Sequence, residues 1–299
     1  MKQFDQTFAN AYRETVQYEE HTFPISARYN NSVGKGLPLS TLQAHWHDDF
    51  EGVEYVQGIC EYTVNGERFV MHPGDFILLK GNALHSIRVL KETESKVLLI
   101  HPRLFNQNEF YMQRYLRMLD HSEKAAWLIH ANLPWYQAFA DAFRRTWTAC
   151  RERAAGYEIT ATGQAYQMLE CLIRDLEVSG GSSARSSFSS SSIEALKRMI
   201  GFIHDEFRSE ISVLDIADAA NISKSSCDKM FRRVLSQSPI EYLTDYRINQ
   251  SISLLSDGAT ITEAALSCGF GTLPYYSRVF KDKTGSTPSA YRKMLQAEM

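Results

Sequence analysis

The C-terminal region of this 299-residue chain repeats itself, and the repeat restricts its fold more than any other feature. A shift of 49 positions places identical or chemically similar residues on one another. The matched pairs are Phe231 with Phe280, Pro239 with Pro288, Tyr242 with Tyr291, Lys229 with Arg278, and Arg232 with Lys281. A repeat of this length predicts two copies of one supersecondary unit. Apolar residues at helical spacing in both copies predict an all-helical region.

The first copy predicts a short helix, a tight turn and a second helix. Ser212 is placed to cap the first helix and Ser223 to cap the second, because a side-chain oxygen accepts from a free backbone N–H there. Met230, Phe231 and Val234 are expected in the core. The residues expected on open faces are Lys224, Ser225, Asp228, Lys229, Arg232 and Arg233. A helix-turn-helix of this kind lays its second helix in the DNA major groove.

The second copy carries the same signals. Gly269 is expected to end the first helix with a positive φ angle. Thr272 is expected to cap the recognition helix, and Pro274 falls in its first turn, where a missing N–H costs nothing.

The segment GFGTLPYYSRVFKDKTGSTPSAYR closely resembles the second helix-turn-helix of AraC/XylS-type transcription regulators, and IADAANISKSSCDKMFRRVLSQSPIEYLTDYRINQSISLL resembles the first half of the same domain. The resemblance covers about residues 195–295. It implies that the two recognition helices enter successive major grooves of double-stranded DNA, roughly 34 Å apart.

Residue roles follow from the resemblance by position. The base-reading candidates are Ser225, Asp228 and Lys229 in the first copy, and Leu273, Pro274, Ser277 and Arg278 in the second. Asp228 suits cytosine N4, whereas Lys229 and Arg278 suit guanine. The phosphate-contact candidates are Lys224, Arg232, Arg233 and Lys281.

The alternative is that these charges form a solvated helix face. From residue 194 onward there are 13 Lys/Arg and 13 Asp/Glu, which argues against strong nonspecific DNA binding. Four of the five charges on the first recognition helix are nevertheless positive, which favours a DNA contact.

A serine-rich segment, SGGSSARSSFSSSS at residues 179–192, precedes the repeat region. Ser/Gly-rich chains bury too little apolar surface to order themselves and behave as flexible tethers. We therefore predict two domains, residues 1–178 and 193–299, joined by this linker.

The first domain changes character near residue 102. From about 38 to 100 it shows short alternating runs typical of strands, with a hairpin turn at Asn65-Gly66. Helical patterns follow, with two apolar stripes that either pack on the strands or pair with a second subunit. These stripes are Trp135, Phe139, Phe143 and Trp147, then Met168, Leu169, Leu172, Ile173 and Leu176.

The segment HWHDDFEGVEYVQG, residues 45–58, resembles the first cupin motif, and HPGDFILLKGNALHS resembles the second. The resemblance implies a cupin-like β-barrel with a helical tail (α+β), followed by the all-α double helix-turn-helix. In metal-binding cupins His45, His47, Glu51 and His85 would be the ligands, and this donor set suits Zn²⁺, Fe²⁺, Mn²⁺ or Ni²⁺. The proline usual before the last histidine is replaced here by KGNAL, which weakens the metal interpretation.

Three interpretations of this site stay open. The first, which we favour, is a metal-free pocket for a small effector, with a sugar as one candidate, because AraC-type regulators commonly keep H-x-H without a metal. The second is a pocket with a bound metal, and the third is a set of histidines that only satisfy core hydrogen bonds. Strand parity places Tyr55 inside the barrel as a further ligand-binding candidate and Trp46 outside.

Composition narrows the functional classes. Five cysteines without C-x-x-C spacing favour a reducing compartment over a disulfide framework or a zinc site. No signal-peptide pattern and no long apolar run occur, so we expect a cytoplasmic protein without membrane contact. No catalytic motif or phosphate loop appears, so neither an enzyme nor a cofactor is expected.

The sequence thus predicts a cytoplasmic transcription regulator that forms homodimers. A small-molecule effector in the cupin-like domain would change its affinity for DNA or its contact with RNA polymerase. The alternatives are a metal-dependent cupin enzyme fused to a DNA-binding domain, and a constitutive regulator whose barrel serves only dimerisation.

Overall fold

The structure is a computed structural model that describes residues 16, 18, 22–31, 41–105, 109–178 and 188–297. These residues fall into two compact units that divide between Phe188 and Ser189. The first contains an antiparallel sheet and helices, whereas the described residues of the second contain helices and no strands. The predicted fold class, an α+β domain followed by an all-α domain, is confirmed.

The predicted linker, residues 179–192, is only partly described. Residues 179–187 lie outside the described part, but residues 190–192 form the first turn of a helix and not a tether. The helix begins at Ser190 because the Ser189 hydroxyl accepts a hydrogen bond from the Ser192 backbone N–H at 3.2 Å. The boundary predicted at residue 193 therefore lies three residues after the start of this helix.

Seven strands of the described residues form one antiparallel sheet in the first unit. They are β1 (Ile25–Asn31), β2 (Thr41–His45), β3 (Phe50–Val64), β4 (Glu67–Met71), β5 (Phe76–Leu79), β6 (His85–Ile100) and β7 (Ala126–Ile129). The order along the sheet is β1-β6-β3-β5-β7, with β2 also paired to β6 and β4 to β3. The helical elements are a 3₁₀ helix (Pro102–Phe105), α1 (Glu109–His121), α2 (Tyr136–Glu152) and α3 (Tyr157–Val178).

Two strands lie outside the range in which the sequence predicted strands. Strand β1 precedes residue 38, and β7 interrupts the region predicted as purely helical. The four residues of β7 are an apolar run that pairs antiparallel with β5, from Phe76 opposite Ile129 to Leu79 opposite Ala126. A run this short has no readable helical or strand period, so its sheet partner decides its conformation.

The apolar stripe of α2 packs on the sheet and that of α3 packs in the same core against α2, which settles one alternative left open by the sequence. Phe139 and Phe143 are fully buried against Phe76, with ring centroids 5.7 and 5.2 Å away. Gly52 of β3 makes this approach possible, because a Cβ there would lie 3.0 Å from the Phe143 ring. The stripes are therefore the core of one subunit and not a surface that waits for a second one.

A charged contact fixes the same helix to the sheet. Glu54 of β3 is 5% exposed and receives Arg144 of α2 at 2.7 Å and Lys96 of β6 at 3.2 Å. A buried carboxylate is tolerated only when it is paired, so these two cations compensate the burial of Glu54.

The second unit consists of seven helices within its described residues. They are α4 (Ser190–Glu206), α5 (Val213–Asp218), α6 (Lys224–Leu235), α7 (Pro239–Ser256), α8 (Ile261–Ser267), α9 (Leu273–Thr284) and α10 (Pro288–Ala297). The predicted repeat is present: α9 and α10 begin 49 residues after α6 and α7. Helix α8 begins 48 residues after α5 and Gly269 follows Asn221 by 48, so the extra residue of the second copy lies between Gly269 and α9.

The turn of each copy needs a residue with a positive φ angle. Asn221 has φ 54° in the first copy and Gly269 has φ 77° in the second, as predicted for Gly269. A Cβ on Gly269 would lie 2.6 Å from the carbonyl oxygen of Phe207 and 2.8 Å from that of Arg208. Both the backbone angle and the space therefore require glycine at this position.

Helix caps in this unit follow the sequence with one exception. Ser212 forms a capping box with Asp215, and the Ser223 hydroxyl accepts from the Ser226 N–H, both at predicted cap positions. Thr272 occupies the N-cap of α9, but its side chain makes no capping hydrogen bond, so that part of the prediction is wrong. The φ of −145° at Thr272 contrasts with −70° at Ser223, so the two copies enter their recognition helices with different backbone geometry.

We expect Gly269→Ala to destabilise the second unit more than Gly258→Ala. Gly258 also has a positive φ angle, 96°, but nothing lies within 4 Å of a Cβ there, so its substitution costs only the backbone strain of about 1–2 kcal/mol. Gly269→Ala adds the collision with two carbonyl oxygens.

Circular dichroism at increasing urea measures both units, whereas tryptophan fluorescence measures the first alone, because all four tryptophans precede residue 178. Gly269→Ala should lower the circular dichroism midpoint and leave the fluorescence midpoint unchanged. Equal losses from both substitutions would contradict the steric argument.

Candidate functional site

The four residues predicted as a site come from three strands and the segment between two of them. His45 ends β2 and is paired in register with His85, the first residue of β6. Glu51 is the second residue of β3, and His47 lies between β2 and β3. All four side chains are buried. The structure brings the whole predicted set together.

Glu51 lies at the centre of this histidine cluster, defined as His45, His47, Glu51 and His85. Its Oε2 is 3.1 Å from His47 Nε2 and 3.2 Å from His85 Nε2. The rings of His45 and His85 have centroids 4.2 Å apart, and those of His47 and His85 are 5.3 Å apart. Two of the three imidazoles, those of His47 and His85, thus contact the same carboxylate oxygen.

The backbone fixes the orientation of all three imidazoles. Each Nδ1 lies within hydrogen-bond distance of a carbonyl oxygen two residues away in sequence, so Nδ1–H donates and Nε2 is left for the cluster. The acceptors are Gln43 for His45 at 2.9 Å, Asp49 for His47 at 3.1 Å, and Ala83 for His85 at 2.9 Å. Backbone carbonyls commonly orient metal-binding histidines in this way.

His47 and His85 consequently face an acceptor through both ring nitrogens. A neutral imidazole has one N–H, so it satisfies one of the two acceptors and turns a lone pair towards the other. The contact with Glu51 is favourable either when both nitrogens carry protons or when a cation lies between Nε2 and the carboxylate. The arrangement therefore calls for positive charge beside Glu51.

The pKa of Glu51 agrees with the need for positive charge beside its carboxylate. Burial opposes the charge on Glu51, but the contacts with His47 and His85 lower the pKa of Glu51 well below its usual range. Burial, together with the neighbouring His85, lowers the pKa of His45 to about 3. Glu51 is thus an anion and His45 a neutral base at physiological pH.

A close backbone contact holds His47 and the residues after it in place. A Cβ on Gly81 would lie 2.3 Å from the Asp48 carbonyl oxygen, and the Asn82 N–H donates to the His47 carbonyl oxygen at 2.7 Å. On the other side the Tyr18 hydroxyl donates to the Asp49 carboxylate.

Tyr55 lies on the same side of β3 as Glu51, within the inner apolar cluster, as predicted. Its hydroxyl donates to Tyr62 at 3.2 Å, and burial raises the pKa of both phenols well above the usual value. Trp46, which was predicted to face outside the barrel, is buried, with 7% exposure.

The sequence missed Tyr62 and Cys60, which lie beside Tyr55. Tyr55 and Tyr62 are seven positions apart, and a regular strand would place them on opposite faces. Register irregularities between Tyr55 and Cys60 shift the alternation of side chains between the two faces of the strand. Gly58 lies within this irregular stretch, and a Cβ on it would lie 2.0 Å from the Glu92 carbonyl oxygen. The signal in the sequence was a glycine within a long strand run.

The histidine cluster fits a divalent cation. Among the described residues, the one group whose ligand atoms all lie within 4.8 Å of one another is His45, His47 and His85. Three imidazoles with a carboxylate suit Zn²⁺, Fe²⁺, Mn²⁺ or Ni²⁺. The same donors and acceptors also suit a polar organic ligand.

Helix α6 carries the first part of a candidate DNA interface, separate from the histidine cluster. Cys227, Phe231 and Val234 are buried on one face, and Met230, predicted in the core, is half-buried. The predicted DNA contacts lie on the other faces: Lys224, Ser225, Lys229, Arg232 and Arg233 are exposed and Asp228 is half-buried.

Helix α9 repeats this arrangement. Tyr276 and Phe280 are buried, whereas the predicted contacts Leu273, Pro274, Arg278 and Lys281 are exposed and Ser277 is half-buried. Tyr275, which is not among the predicted contacts, is also exposed. The spacing of roughly 34 Å between the two recognition helices stays a prediction.

Comparisons with known proteins agree with both halves of this picture. Residues 216–294 match the family described as a helix-turn-helix domain, and residues 38–101 match the family described as a cupin domain. None of the described helices combines the length and apolar character needed to cross a membrane.

Relatives match the chain over different lengths. The HTH-type transcriptional regulator YdeC of Bacillus subtilis is 27% identical over 289 residues, which covers 94% of this chain and 96% of that protein. The Msm operon regulatory protein of Streptococcus mutans is 31% identical over 140 residues, 46% of this chain and 49% of that protein. Among solved structures, ToxT from Vibrio cholerae is 16% identical, with a TM-score of 0.48, and covers 94% of this chain and 99% of that one.

The repeated helix-turn-helix, the cupin motifs and the regulators matched along the chain lead to one conclusion. The chain is an AraC-type transcription regulator with an N-terminal cupin-like domain.

Proposed function

We propose that this regulator binds double-stranded DNA sequence-specifically, with α6 and α9 in two successive major grooves. The observation that carries the proposal is the two-faced character of both helices. Each buries aromatic and apolar residues on one face and carries the predicted contacts on the other, where all but the half-buried Asp228 and Ser277 are exposed. Side chains that project from a recognition helix into the major groove read base edges there.

The contacts divide into two classes. Base reading is assigned to Ser225, Asp228, Lys229, Leu273, Pro274, Ser277 and Arg278, and phosphate contact to Lys224, Arg232, Arg233 and Lys281. Phosphate contacts fix the position of the protein and carry no sequence information, whereas base contacts discriminate. The chain has a net charge of −3, so the local charge of the two helices supplies the attraction to DNA.

We expect Lys229→Ala and Arg278→Ala to relax base preference, each at one position, with a loss of about 1–3 kcal/mol in discrimination. Lys281→Ala should instead weaken binding to all sequences and reduce the slope of affinity against salt by about one unit. Selection of duplexes from a random pool by full-length protein, followed by titration at several salt concentrations, measures both effects.

Arg174→Ala is the matched control, because Arg174 is an exposed arginine of α3, far along the chain from the recognition helices. Unchanged base preference in Lys229→Ala and Arg278→Ala would contradict the assignment.

The histidine cluster is proposed as the site of a small polar effector, and a sugar is one candidate. Hydroxyl groups need paired donors and acceptors, which Glu51 and the imidazoles supply, while Tyr55 adds a ring on the same side of β3. Effector binding would change DNA affinity or contact with RNA polymerase through a coupling free energy between the two sites. A homodimer would use surfaces other than the apolar stripes of α2 and α3, because those stripes are buried within one subunit.

A second candidate is a divalent cation in the histidine cluster, held by His45, His47, Glu51 and His85. The specific support is that His47 and His85 face acceptors through both nitrogens. A cation bound there would supply Lewis-acid polarisation of an effector oxygen. YdeC and the Msm operon regulatory protein are regulators, so catalysis is not part of the proposal.

We expect one ligand class to raise the fluorescence unfolding midpoint of the full-length protein. A ligand at a hundredfold excess over its dissociation constant stabilises by about 2.7 kcal/mol. Stabilisation by Zn²⁺ or Ni²⁺ that EDTA reverses and His85→Ala abolishes would support the cation. Stabilisation by a sugar that EDTA does not change and His85→Ala abolishes would support the metal-free pocket.

Each shift is measured against the midpoint of the same variant without ligand, and His72→Ala serves as the control because His72 is an exposed histidine in a turn. Equal shifts in the wild type and in His85→Ala would place the ligand elsewhere.

A further inference from the structure

Recognition helix α9 exposes an aromatic ring that the DNA-contact assignment does not use. Tyr275 is 43% exposed, whereas its neighbour Tyr276 is fully buried. The matching position in α6 is Ser226, whose hydroxyl lies 2.9 Å from that of Ser223 at the helix cap. An aromatic residue at this place is thus a property of the second copy alone.

Tyr275 contacts the arginine assigned to base reading. The guanidinium carbon of Arg278 lies 5.4 Å from the centroid of the Tyr275 ring. The two residues are three positions apart on one helix, a spacing that places side chains on the same face. A guanidinium over an aromatic face is attracted to the ring, and the attraction restricts the conformations that the arginine samples.

The ring of Tyr275 packs near a buried aromatic residue. Phe270, which is buried, lies 6.2 Å from Tyr275 and 5.0 Å from Tyr276 between ring centroids. Arg247, the other arginine near this turn, donates to the carbonyl oxygens of Phe207 and Ser209 and is committed to the backbone. Arg278 is therefore the cation that Tyr275 holds at the exposed surface.

We propose that Tyr275 is a positioning residue that orients the Arg278 guanidinium for a bidentate contact with guanine. An exposed arginine loses rotamer freedom when it pairs with a base, and an arginine already held on a ring loses less. The inference rests on the proposed DNA binding by α9 and adds a residue that acts through Arg278 and not by its own contact with DNA.

The test is a double-mutant cycle on the full-length protein. The wild type first selects duplexes from a random pool, and the best duplex becomes the probe for Tyr275→Leu, Tyr275→Phe, Arg278→Ala and the Tyr275→Leu/Arg278→Ala double variant. A cation–π contact at an exposed site accounts for about a two- to fivefold loss of affinity in Tyr275→Leu. Tyr275→Phe keeps the ring face and should bind like the wild type.

The interaction between Tyr275 and Arg278 in the double-mutant cycle distinguishes a positioning role from a direct DNA contact. In the Arg278→Ala background, Tyr275→Leu should cause no further loss, because its partner is absent. Tyr275→Leu should also weaken the preference for guanine at the position where Arg278→Ala loses it, and at no other position. Circular dichroism melting of each variant provides the readout of folding.

Four results would overturn the inference. Tyr275→Leu could bind like the wild type, or it could cause the same loss with and without Arg278, which would make Tyr275 a direct DNA contact. Tyr275→Phe could lose as much as Tyr275→Leu, which would assign the effect to the hydroxyl. A wild type that selects no sequence would remove the proposed function together with this inference, and this outcome is distinct from the other three.

Discussion

Strand β3 carries two buried carboxylates on opposite faces of the sheet. The first unit is arranged so that each of these negative charges has partners that offset the cost of burying it. Glu51 and Glu54 are three positions apart, an odd spacing that turns one inward and the other outward. Glu51 is balanced by His47 and His85, and Glu54 by Lys96 and Arg144. An uncompensated buried charge costs several kcal/mol, so the strand cannot be buried without both sets of partners. The candidate site and the anchor of helix α2 are thus two consequences of one constraint.

The same strand gives the site its physical connection to the helices. Between the two carboxylates lies Gly52, and the ring of Phe143 packs directly against it. A change in the spacing around Glu51 therefore reaches the outer face of β3 within one to three residues, where Phe143 and Arg144 of α2 make their contacts. Close packing transmits such displacements because interiors hold few voids.

In the second unit the limiting constraint is the turn between the two helices of each helix-turn-helix. Asn221 and Gly269 occupy equivalent places with positive φ angles, and the carbonyl oxygens of Phe207 and Arg208 leave no room for a Cβ at Gly269. The second copy has one more residue between its positive-φ residue and its second helix, and Thr272 makes no capping hydrogen bond there. Tyr275 of this helix is exposed. The two copies share a fold but expose different side chains on their second helices.

The sequence by itself determined the features whose cause is local. The helix pattern, the caps at Ser212 and Ser223, the glycine turn and the H-x-H spacing depend on residues within a few positions of one another. The tertiary structure alone decided the rest: the return of β7 to the sheet, the burial of Trp46, the register shift that joins Tyr62 to Tyr55, and the placement of Arg278 on the Tyr275 ring. These features depend on partners that are distant in the chain or on side-chain orientation, and neither spacing nor periodicity encodes which partner lies opposite a strand edge or a ring.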